Sequence, residues 1–161
     1  MTRVTLEGVL RPGQAPWRPS PDVTDVRVLL AYGHPRVGTF RIGLDLVLFA
    51  TAYDDDDDDL SVWAYVPVPA ELEASFLGRR FDTAADLSQA VDGFFVGRPA
   101  TMALANNMSL ARWSICDEVP AGDDGLTKAA TGFMWSVLKA ESFDHLQAAV
   151  KLAEARDLVN S

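Results

Sequence analysis

One cysteine, Cys116, and two histidines, His34 and His145, are the only thiol and imidazole side chains among 161 residues. A lone thiol forms no intrachain disulfide, so the fold must stand without covalent staples, and a cytoplasmic location is expected. The same scarcity argues against a zinc site, because three such side chains, none in a ligand pair, fall short of a tetrahedral set. Lysine is scarce too. Three lysines against eleven arginines point to a GC-rich bacterial genome. No apolar run is long enough to span a bilayer, and no membrane contact is expected. Residues 1–21 carry Arg3, Arg11 and Arg18 without the apolar stretch of a signal peptide, so export is not expected either. Catalytic signatures are also missing: there is no nucleotide fingerprint, no Gly-x-Ser-x-Gly and no His-Glu-x-x-His. Gly33-His34-Pro35-Arg36-Val37-Gly38 lacks both the lysine and the length of a phosphate-binding loop.

What the chain does have is ordinary globular composition, 48% hydrophobic and 23% charged. A chain of this length buries roughly two-thirds of its unfolded surface, enough for a core without metal or disulfides. The exception to ordinariness is a run of six acids, Asp54, Asp55, Asp56, Asp57, Asp58 and Asp59. They account for six of the nine net negative charges, so the rest of the chain is only mildly acidic. Residues 1–41 are net basic, with six arginines against Glu7, Asp22 and Asp25.

Two apolar stretches, residues 45–53 and 60–68, flank the acids and read as strands, which makes the run a hairpin loop held in water. Residues 3–10 alternate and predict a further strand. Pro12, Pro16, Pro19 and Pro21 make residues 11–22 a loop, with Trp17 folded back as an anchor. Val26, Val28 and Leu30 predict a strand, Gly33-His34-Pro35 a turn, and Gly38 and Gly43 bends in the extended stretch that follows. After Pro69 the texture turns helical. Residues 69–78 and 82–93 predict short helices, the second capped by Asp82 or Thr83 and ended by Gly93. Phe94-Phe95-Val96 reads as a buried strand or turn, and residues 98–109 as a loop or ragged helix. Residues 110–119 return to the sheet. Residues 126–160 predict two helices with a break near Ala140, the second carrying Phe143, Leu146, Val150 and Ala153 on one face. The expected fold is α+β: a twisted antiparallel sheet of five or six strands with short helices over residues 1–120. A C-terminal helical pair over 126–161 would pack on it or on a partner.

Leu29-Leu30-Ala31-Tyr32-Gly33-His34-Pro35-Arg36-Val37-Gly38-Thr39-Phe40, then Trp63-Ala64-Tyr65-Val66-Pro67-Val68-Pro69, then Phe76-Leu77-Gly78 with residues 82–95, form an ordered set. Together they resemble a small bacterial domain family with a Tyr-x-x-Pro opening and a Trp-x-Tyr-Val-Pro-Val strand, whose members have no assigned activity. The likeness spans about residues 24–118. It implies that the loop before the Trp strand is acidic and variable, and it transfers no functional residue. His34 and Pro69 depart from its pattern, where an acid and a serine are usual.

The aspartates invite a cation, yet neighbouring carboxylates on an extended segment point to alternate sides, and an EF-hand's central glycine is missing. Mimicry of DNA would need acids spread over a face to match about 1.7 Å of axis per charge, which one run does not provide. Cys116 shares the polar side of its strand with Arg112 and Ser114; a nucleophile there would also need His34 or His145 as base. The adjacent pairs Asp117-Glu118 and Asp123-Asp124 read as solvated surface. Val62, Ala64, Val66 and Val68 point to the core, leaving Trp63 and Tyr65 on the opposite face. Either the helices of the second half cover that face or it is an aromatic binding patch.

These observations point away from an enzyme and away from metal or cofactor. The leading expectation is a non-enzymatic protein-interaction or regulatory module whose partner is another protein or a second copy. Trp63, Tyr65 and Asp54 to Asp59 are its candidate contact residues. Alternatives are an acidic, nucleic-acid-mimicking inhibitor of a basic DNA- or RNA-binding protein, and a Cys116-dependent enzyme. Direct nucleic-acid binding is disfavoured by the sign of the charge.

Overall fold

Leu46, Leu48 and Ala50 alternate with Val47 and Phe49, and all five are buried. A strand apolar on both faces needs a covering layer on each side, and that requirement organises the molecule. The structure is a computed structural model and describes residues 6–55, 59–78, 81–122 and 124–140. Strands β1 (Val23–Tyr32), β2 (His34–Ile42), β3 (Asp45–Asp55), β4 (Leu60–Val68), β5 (Ala100–Asn106) and β6 (Ser109–Cys116) pair in chain order. They make one open antiparallel sheet. Helices α1 (Ala70–Gly78) and α2 (Ala84–Phe95) connect β4 to β5, and α3 (Gly125–Ala140) follows β6. The fold is α+β, with the six-stranded sheet and short helices the sequence predicts. The second C-terminal helix, expected from residue 142, lies outside the described residues.

On one face, Leu48, Ala50, Val62, Ala64, Val66 and Met102 meet the buried stripe of α2, Leu87, Val91 and Phe95. Leu126, Ala130 and Met134 of α3 complete that layer, again at a four-residue spacing that keeps one helix side inward. Thr83 caps α2, its hydroxyl accepting from the Asp86 amide at 3.1 Å. Gly93 does not end this helix. It runs on to Phe95, whose ring is fully buried and repeats the spacing of Leu87 and Val91, so burial outweighs the glycine's weak helix preference.

The other face corrects the reading of the N-terminus. Residues 6–8 are a 3-10 turn, not a strand, and the Val9 and Leu10 amides donate to the Leu6 carbonyl at 2.9 and 3.0 Å. This turns Leu6 and Leu10 together into a second core with Phe40, Phe49, Trp63 and Tyr65. The proline-rich stretch continues the cover and protects the edge of β6. Gly13 donates to the Leu110 carbonyl at 2.8 Å, and the Leu110 amide donates to Gln14 at 2.9 Å.

Two local expectations also change. Gly38 is no bend; it sits in a regular stretch of β2, where an added Cβ would lie 2.7 Å from the Phe49 ring and against the Arg27 carbonyl. Residues 98–109 contain strand β5 and a tight turn at Asn107-Met108, both with left-handed φ (49° and 62°). All seven residues of β5 are buried, so the inside–outside alternation that marks a strand is absent from its sequence.

Candidate functional site

Trp63 and Tyr65 project from β4 away from the helices, as expected, but neither is exposed. The layer over them is the N-terminal segment rather than the helices of the second half. The Tyr65 hydroxyl donates to the Pro16 carbonyl at 2.6 Å, and burial pushes its pKa well above the ordinary value. The Trp63 indole N–H donates to the Ser61 hydroxyl at 2.9 Å. Trp17 stacks on His34 with centroids 5.8 Å apart, and both rings lean on Trp63 at 6.1 and 5.8 Å. This aromatic cluster clamps the proline-rich stretch onto the sheet; in this structure it is core and not a contact patch.

The acid run is divided. Asp54 and Asp55 extend β3 rather than opening the loop, and Asp54 accepts from Arg36 on β2 at 2.7 Å, with both side chains half-buried. Asp56, Asp57 and Asp58 lie outside the described residues. Asp59 is exposed with φ of 54°, and its carbonyl accepts from the Asn107 amide at 2.7 Å, which ties the loop to the β5–β6 turn. Among the described residues no three His, Cys, Asp or Glu side chains converge.

Cys116 ends β6, half-buried, its thiol 3.5 Å from the Glu118 carbonyl. The strand order places β2, with His34, four strands away from it. At ~4.8 Å per strand that is about 19 Å, beyond any proton transfer. His145 lies outside the described residues.

A feature without a sequence forecast is a groove of about 460 Å³ beside β1, on the helix face. Register slips in β1 between Val28 and Leu30 turn both Leu29 and Leu30 to this side, where both stay half-exposed. Phe81, Asp82 and Thr83, ahead of α2, and Leu87 in its second turn form the opposite wall. The doubled Leu29-Leu30 breaks the alternation of its strand, but the slip itself is set by the pairing of β1 with β2. A smaller hollow, about 220 Å³, lies at the other end of the sheet near Leu44 and Pro69. Its Glu73 is held by Arg41 at 2.8 Å. On the outer side of α3, Trp135 is 65% exposed. Among the described residues no helix is long and apolar enough to cross a membrane.

No family model matches the chain, and no curated protein or solved structure matches it.

Proposed function

We propose that this chain is a non-enzymatic protein-interaction module that takes an apolar segment of another protein in the groove between β1 and α2. One observation carries the reading: Leu29 and Leu30 are turned to the same side and left half-covered, facing Phe81 and Leu87. Apolar walls supply anchoring pockets, and β1 is an edge strand among the described residues, the two ingredients of strand-addition recognition. Asp82 in the wall and Asp86 in the first turn of α2 favour a partner with basic flanks.

Random-peptide selection against the full chain tests this. Peptides with apolar anchors and basic flanks are expected, and Leu30→Asp should weaken them at least about tenfold, or 1.4 kcal/mol. Equal binding to both proteins would remove the groove from the reading. Self-association abolished by the same substitution would make the partner a second copy.

A further inference from the structure

The geometry points to a second site, independent of the groove: the hollow beside the β2–β3 turn binds a short aliphatic amine, with the carbon chain inside and the ammonium at Glu71. Separate parts of the chain close around this space. Leu6 comes from the N-terminal turn, Val47 and Pro67 from β3 and β4, and Pro69 from the entry to α1. At about 220 Å³ the hollow falls short of the roughly 300–1,000 Å³ of sites for drug-sized ligands. It suits a compact group rather than a length of peptide. Leu44 forms its lip, next to Gly43 in a left-handed turn (φ 62°), and is 92% exposed. An apolar occupant would take that side chain out of water as it enters.

The charge of the lining decides the head group. No lysine or arginine lines the hollow, whereas Asp45, Glu71 and Glu73 do. Two of these carboxylates are occupied: Glu73 by Arg41 at 2.8 Å, and Asp45 by interactions of its own. Glu71, exposed in the first turn of α1, is in no ion pair among the described residues. One open carboxylate beside apolar walls matches one positive charge on an apolar stem. It repels an anion of the same shape and leaves a neutral isostere only the walls. A hard metal ion is a poorer match, because it wants several converging oxygens and the walls offer carbon.

Titration of the full chain with n-butylamine, n-butanol and butyrate, followed on the Leu44, Val47 and Val68 methyls, tests this. n-Butylamine should saturate these shifts, and should bind about fourfold more tightly than n-propylamine, the effect of one methylene withdrawn from water. Butyrate should leave them unmoved. Glu71→Gln should weaken the amine about threefold, the scale of an exposed ion pair, and leave the alcohol unchanged. Leu44→Ser should weaken amine and alcohol alike. Both side chains are exposed, so neither substitution threatens the fold. Equal affinities for amine and alcohol, no dependence on chain length, or undiminished amine binding by Glu71→Gln would each overturn the site. So would shifts confined to the Leu29 and Leu30 methyls of the groove.

Discussion

Gly38 lies opposite Phe49 in the β2–β3 ladder, where hydrogen is the only side chain that fits. Gly38→Ala would drive a methyl into the Phe49 ring and the Arg27 carbonyl, and overpacking of this kind costs about 1–3 kcal/mol. Urea titration should therefore show a lower midpoint with an unchanged slope. Tyr65 is a second such position. Tyr65→Phe leaves the Pro16 carbonyl buried without its donor, a loss of about 1–3 kcal/mol. The phenol also predicts a pH dependence. Because its folded pKa lies above the ordinary value near 10, its contribution is intact below about pH 10 and declines as pH rises past it. Melting curves across that range should converge for wild type and Tyr65→Phe as the pH rises. Parallel curves would place the alkaline loss elsewhere. Neither role was legible in advance: a glycine reads as a bend, and a tyrosine's partner forty-nine residues away has no local signature.

At the scale of elements, α2 is where sequence and structure agree best, and where the groove begins. The Thr83 cap was readable because a short polar side chain before an apolar repeat satisfies the free amides of the first turn. Thr83→Ala should cost about 1 kcal/mol, and Thr83→Ser should restore most of it by thermal melting. The β3–β4 hairpin was readable in outline, since two apolar runs around six acids leave little choice. The division of the acids was not. Asp54 is held by Arg36 inside the sheet's edge region, whereas Asp59 is exposed in a left-handed turn. Asp59→Gly should be neutral or slightly stabilising, because glycine adopts that φ freely, while Asp54→Ala should destabilise modestly, by up to about 1 kcal/mol, by removing a 2.7 Å ion pair between partly exposed side chains. Equal effects of the two substitutions in chemical denaturation would contradict this division.

For the whole molecule, the sheet has apolar residues on both faces and a separate cover for each: helices on one side, a proline-rich segment on the other. Neither cover can leave without exposing large side chains of the shared sheet, so the two should unfold together. Leu10→Ala and Leu87→Ala, one on each side, should each cost about 2–5 kcal/mol and lower one common transition seen by tryptophan fluorescence and circular dichroism. Fluorescence changing first, with helical signal retained, would mean that the N-terminal cover is an independent unit.

Composition and local pattern determined the class, because alternation, proline placement and capping act over a few residues and leave their mark in the chain itself. They pointed to an antiparallel sheet interrupted by two short helices and followed by a helical pair, of which α3 lies within the described residues. Tertiary packing decided what covers each face, since Leu6 and Leu10 serve a strand as plausibly as a turn until the sheet receives them. It also decided the groove: Leu29 and Leu30 become one half-covered wall only through a slip in register against β2. Such a slip follows from pairing between chain segments, and no short stretch of sequence contains it.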